Sequence, residues 1–168
     1  MITPEYCRTM ARYNAWQNEG LERALMSLSR EELERDRGAF FGSIWKTANH
    51  LLWADLVWMS RLDGGERPAG GIGDSVVLAR NAADWEALRF RTDGRIRVWA
   101  EALKAVDLVG DLTWMSGAAG REVSRPVALC VIHMFNHQTH HRGQIHAMLT
   151  AAGVEMRDTD LFLMPRPC

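Results

Sequence analysis

Several kinds of protein are disfavoured by what this chain lacks. Its three cysteines, Cys7, Cys130 and Cys168, are scattered and form no CxxC pair. An odd, dispersed set argues against a disulfide framework and for a reducing, cytoplasmic setting. The longest clean apolar run, Val127 to Ile132, falls far short of the roughly 20 residues a membrane span requires. The opening Met-Ile-Thr-Pro-Glu-Tyr has no basic region followed by an apolar stretch, so no secretion signal is expected. Charge of one sign is missing too, with 20 Lys+Arg against 21 Asp+Glu. Nucleic acid and anionic membranes demand concentrated positive charge, so neither is an expected partner. HExxH, ExxH, Walker A, GxGxxG and CxxCH are all absent, which removes zincin-type proteases, ferritin-like di-iron centres and nucleotide-binding loops.

What is present fits one domain spanning residues 1–168, of a size that buries roughly 70% of its unfolded surface. The expected fold is all-α, a bundle of four long helices. The first runs from about Thr3 to Ser29, with Thr3 as N-cap, Pro4 at the first helical position, and a stripe of Tyr6, Met10, Tyr13, Gln17, Leu21, Ala24 and Leu28. The second starts behind a Ser43 cap and ends near Leu62; its apolar residues wrap most of the circumference, which marks a buried helix. A glycine-rich connection to about Arg80 is longer than the roughly 2–8 residues usual in bundles. It predicts a crossover between helices 2 and 3 that sets them parallel, up-down-down-up. The third helix is expected over Asn81 to Asp107, with Trp85, Leu88, Thr92, Ile96, Trp99, Leu103 and Val106 inward. A short hairpin lies between Leu112 and Ser124, and Ser124 and Pro126 open a last helix that stops at Gly153. Seven tryptophans are first of all core residues, and secondly material for a pocket wall.

Five of the six histidines, His133, His137, His140, His141 and His146, fall in that last helix. At about 100° per residue, His133, His140 and His141 lie within about 60° of His137, and His146 points away. The same stripe holds Cys130, Met134, Gln144 and Met148, which puts the imidazoles on the core side. Burying one unsatisfied polar group costs about 1–3 kcal/mol, so several together ask for a shared ligand. Spacing allows His133/His137, His137/His141 or His137/His140 as a pair, and every pair contains His137. Residues i and i+8 are about 12 Å apart, so a third ligand has to come from another helix. His50, in the buried second helix, is the one histidine elsewhere. A three-nitrogen site with open positions has the pattern of catalytic rather than structural zinc.

Tyr13-Asn14-Ala15-Trp16-Gln17-Asn18, Phe41-Gly42-Ser43-Ile44, Asn49-His50 with Asp55, and above all Asn136-His137-Gln138-Thr139-His140-His141-Arg142-Gly143-Gln144 resemble the DinB family of metal-dependent proteins, which includes thiol-cofactor-dependent transferases. The resemblance covers nearly the whole chain. It implies a four-helix bundle, frequently a homodimer, with His50, His137 and His141 as metal ligands, and makes His133 and His140 pocket wall or supporting residues. Asp55 and Arg142 suit a buried ion pair or a supporting role at the metal. Asn14, Asn18 and Gln144 suit the pocket or interhelical hydrogen bonds. Gly143 costs about 1 kcal/mol in a helix interior, which close approach of a neighbouring helix would explain.

Imidazole donors suit zinc or nickel first, with iron or manganese also admissible. Three neutral imidazoles leave a divalent ion its full charge. The resemblance then implies thiol-dependent S-transfer, in which a low-molecular-weight thiol becomes a thiolate and attacks an electrophile. The alternatives are a metal-dependent hydrolase and a non-catalytic metal-binding stress protein. Asp55 or His133 would serve as general base.

Overall fold

The computed structural model describes residues 1–166, so Cys168 lies outside the described residues. The protein is mostly helical, with one small two-stranded sheet. Helix α1 spans Pro4–Met26, and the Thr3 side chain accepts from Tyr6 N at its start, as the sequence predicts. It ends three residues before Ser29. The Ser27 hydroxyl donates to Ala24 O, and Ser29 instead caps a short helix that periodicity does not reveal, α2 (Arg30–Glu34). The innermost seam of α1 is Cys7, Ala11, Asn14, Asn18, Leu21 and Leu25, one step round from the expected stripe. Tyr13 and Gln17 are buried for another reason: the chain after Ala151 folds back over them. There Tyr13 donates to Thr159 O and Gln17 to Asp158 O.

Helix α3 (Ile44–Leu62) starts from Ser43, whose hydroxyl accepts from Lys46 N. It is buried almost all round. The connection that follows contains a 3-10 turn, Ile72–Val77, laid against α3. Asn49 clasps the end of this connection, its Oδ1 accepting from Ala79 N at 2.7 Å. Helix α4 (Ala82–Ala102), capped by the Asn81 side chain, ends five residues earlier than expected. Its continuation is a separate 3-10 turn, Ala105–Leu108, stabilised by the Asp107 carboxylate accepting from Lys104 N. Val106 is consequently exposed rather than part of the inward stripe.

Strands β1 (Asp111–Ser116) and β2 (Arg121–Pro126) form the expected hairpin, antiparallel with Trp114 opposite Val123. Ser124 is a strand residue, bonded to Thr113, and caps nothing. Helix α5 (Val127–Ala151) ends where Gly153, at φ +80, reverses the chain and Val154 N reaches back to Leu149 O. No helix among the described residues is long and apolar enough to cross a membrane.

Contacts give the helix directions. Trp85 donates to Ala48 O, Arg89 to Asp55 and Arg95 to Asp63, so α3 and α4 advance together. His50 meets His141, and Trp58 meets His133, so α3 and α5 run oppositely. Beside a small apolar cluster of Trp53, Ala54 and Val57, two large ones result among the described residues. One gathers Leu25, Ile44, Leu52, Trp85, Ile145 and Leu149; the other gathers Cys7, Met59, Ile96, Val131, Met134 and Phe135.

A polar layer from all four long helices separates them. Asp55 accepts from Arg89 at 2.6 Å and from Gln138 at 2.9 Å, and Arg89 also donates to Asp93 at 2.7 Å. Asn14 and Asn18 donate to Asp93, and Arg142 donates to Asn14 Oδ1. The Asp55–Arg142 pair expected from sequence is therefore replaced by Asp55–Arg89. Arg89 sits closer in register to Asp55, while Arg142 is taken up by α1.

Candidate metal centre

Helix α3 contributes His50, and α5 contributes His137 and His141 from successive turns. Each of the three offers one ligand atom, and these atoms lie within 4.8 Å of one another. His137 Nε2 is 3.0 Å from His141 Nε2 and 3.4 Å from His50 Nε2. Tetrahedral zinc–imidazole bonds of about 2.0–2.1 Å place neighbouring nitrogens about 3.3 Å apart, so these spacings fit a shared ion.

The opposite ring nitrogens give the chemical reason. His50 Nδ1 is 2.9 Å from Ser75 Oγ, whose own hydroxyl proton goes to Ile72 O at 2.7 Å. Ser75 must therefore accept, which makes His50 Nδ1 the protonated nitrogen and leaves the Nε2 lone pair directed inward. His141 Nδ1 likewise donates to Gln144 Oε1 at 2.8 Å, freeing its Nε2. The lone pairs of His50 and His141 both face His137 Nε2, and a cation among the three nitrogens would satisfy all of them at once. Burial, reinforced by the neighbouring imidazoles, pushes His50 down to about 4 and His137 down to about 3. Burial also lowers His141, against the hydrogen bond to Gln144. The rings are thus neutral donors near pH 7.

Phe41 covers the centre, its ring centroid 4.1 Å from that of His50. Gly42, at φ +80, makes the turn that brings Phe41 there ahead of α3. Next to His50 and His137 opens a cleft of about 320 Å³ walled by Trp53, Trp58 and Trp114, with Arg61 and Arg67 on its rim. Trp45 and Trp85 are core residues, so the tryptophans divide between the two roles expected of them. Another cavity of about 330 Å³ lies between Tyr13, Leu21, Arg142 and Met156. It contains none of the three converging histidines.

The remaining sequence candidates fall elsewhere. His133 and His140 are exposed, not core-facing, because α5 turns Met134, Phe135, Gln138 and Ile145 to the interior. His133 packs edge-on against Trp58 and lines the cleft; partial burial and Arg61 lower its pKa. His140 packs against His141. Asp55 is 1% exposed with both oxygens engaged by Arg89 and Gln138, so it is not available as a base at the histidines. Asn14 and Asn18 make interhelical hydrogen bonds, and Gln144 orients His141. A Cβ on Gly143 would meet no heavy atom within 4 Å, so no neighbouring helix approaches it. Ser75, Arg89 and Asp93 are the residues that sequence reasoning missed. Ser75 lies in a stretch without periodicity, and the other two read as ordinary helix charges.

The sequence model of the DinB family matches residues 1–167 of this chain. Protein DinB of Bacillus subtilis (strain 168) is 25% identical over 157 residues, which cover 88% of this chain and 87% of that protein. A solved DinB-like protein from Bacillus cereus ATCC 10987 aligns with a TM-score of 0.65 over 85% of this chain and 90% of the other, at 17% identity. At that identity the likeness concerns the fold.

Proposed function

The chain belongs to the DinB family, and from that premise we propose that it is a metal-dependent enzyme in which His50, His137 and His141 hold one divalent ion and a low-molecular-weight thiol is activated for S-transfer. The observation that carries this is the convergence of the three Nε2 atoms, two of them with tautomers fixed by Ser75 and Gln144. The donor set suits zinc or nickel first, then iron or manganese. An ion held there supplies Lewis acidity, which favours the deprotonated form of a thiol or of water.

The protein's own residues supply the rest. Ser75 and Gln144 hold two imidazoles in the donor tautomer. Phe41 and Trp53 shield the centre from water on the α3 side. His133, on the cleft wall beside His137, is placed to take the thiol proton at a ring nitrogen. The sulfur then bonds to the electrophilic carbon, and the leaving group departs with the bonding electron pair. Parallel pairing of α3 and α4 supports an up-down-down-up four-helix bundle as the frame, within a cytoplasmic homodimer.

Purified protein loaded with zinc, nickel, manganese or iron in turn is expected to bind about one ion per chain and to turn over thiols with electrophiles. His137→Ala should abolish stoichiometric metal binding, and unchanged metal content in that variant overturns the centre. Turnover confined to esters or amides favours the hydrolase. Metal binding without any turnover favours a binding protein.

A further inference from the structure

The cleft beside the histidines has an unusual chemical polarity: its lining contains Arg61, Arg67, indoles and imidazoles but no aspartate or glutamate. Arg61 is half-buried at its edge, with its guanidinium over the Trp58 ring at 4.6 Å and the Trp114 ring at 5.0 Å. Those contacts hold the cation against the ring faces and engage none of its five N–H donors in a hydrogen bond. No carboxylate or carbonyl among the described residues takes them. Burial, then the neighbouring Arg67, lower Arg61 from its ordinary value, against a smaller opposing effect of the Cys130 thiol and with no carboxylate to offset them. Trp53, which is also in the lining, has a buried indole N–H without a partner. The Arg61 guanidinium and the Trp53 indole thus both offer free N–H donors beside this cleft.

We propose that this cleft takes a small organic anion, its carboxylate paired with Arg61 and its apolar or aromatic body lying against Trp58 and Trp114. A carboxylate matches the planar fork of a guanidinium and accepts two parallel hydrogen bonds. The hairpin gains a purpose from this: Trp114 of β1 forms the wall facing α3, with the turn residues Gly117 and Ala118 at the mouth. As the substrate class of the proposed centre, the inference rests on that reading; the recognition itself requires only Arg61 and the aromatic walls.

The test compares 3-phenylpropionate with its neutral isostere 3-phenylpropionamide, read by tryptophan fluorescence and calorimetry on the full chain. It is run with zinc-loaded and with chelator-treated protein, alongside metal analysis. Wild-type protein should bind the acid about tenfold or more tighter than the amide. Arg61→Met keeps the apolar stem against the indoles and should lose the preference, while Arg61→Lys should recover part of it. Metal content should be the same in all three. Equal affinity for acid and amide, no binding of the acid, or a preference that survives Arg61→Met overturns the proposal. A preference for the acid in protein that binds no zinc sinks the metal centre and leaves anion recognition standing.

Discussion

Asp55, Arg89 and Asp93 form one polar group inside the bundle and His50, His137 and His141 another, yet the two groups satisfy burial in opposite ways. In the first, the two carboxylates share Arg89, with the buried Arg142 as the second nearby cation. Burial alone would lower Arg89, but Asp93 and Asp55 together hold it above its ordinary value, and Gln138, Asn14 and Asn18 fill the remaining acceptor sites. In the second, the outer nitrogens of His50 and His141 are satisfied and the inner ones face each other. The first group still leaves Arg89 Nε, Asn18 Oδ1 and Gln138 Oε1 without partners, but these do not converge. A buried polar cluster whose charges are paired acts as a structural layer, and one whose lone pairs converge is a binding site.

Removing one member should separate the two cases. Arg89→Ala leaves two buried carboxylates without their cation and should destabilise the fold by about 3–5 kcal/mol in denaturant titration; a loss under 1 kcal/mol would mean the layer is not the lock between helices. His137→Ala should hardly alter the metal-free fold. It should instead erase the stabilisation that metal confers on the wild type, about 2.7 kcal/mol at a free concentration one hundred times Kd. Equal melting shifts with zinc in both proteins would place the ion elsewhere. Ser75→Ala and Gln144→Ala keep all three ligands but release a tautomer, and should weaken metal affinity about 10–100-fold in competition with a chelator.

The smaller effects lie outside both clusters. Gly143→Ala enters open space on α5 and should stabilise the protein by about 0.5–1 kcal/mol. Glu22 of α1 shows a third way to relieve crowded polar groups, by keeping a proton. Partial burial and its contact with Glu86 push it up to about 7. Its folded pKa exceeds the unfolded value, so the folded chain binds more protons between about 4.5 and 7. The stabilising contribution is full below about 4.5 and is lost as pH rises through 7. Glu22→Gln should flatten the stability profile across that window; an unchanged slope would remove Glu22 as its source.

Much of the scaffold was legible because local chemistry determines it. Thr3 and Ser43 announce helix starts, Gly153 a stop, and the all-round apolar character of residues 44–62 a buried helix. The histidines were legible as a group for the same reason, since polar side chains repeated along one helix stand out against apolar surroundings. Which of them converge was not. His133, His140 and His141 lie at similar angles to His137, and only the rotation of α5, set by Met134, Phe135 and Ile145 meeting the other helices, brings His141 inward and leaves His133 and His140 outside. Periodicity also could not pair Asp55 with Arg89, because partners 34 residues apart are selected by helix direction and register. Ser75 left no local signal, as a 3-10 turn in a glycine-rich stretch has no stripe, and the Asp74 carboxylate that accepts from Gly71 N at its start follows an ordinary glycine.

The clasp between Asn49 and Ala79 has a consequence for how this centre could be transplanted. His50 depends on a proton acceptor carried by the crossover, and the residue before it in the chain ties that crossover down. Copying three histidines onto another helical scaffold would reproduce the donors but not their protonation pattern. The smallest unit that can be moved intact is helix α3 together with the loop that returns across it.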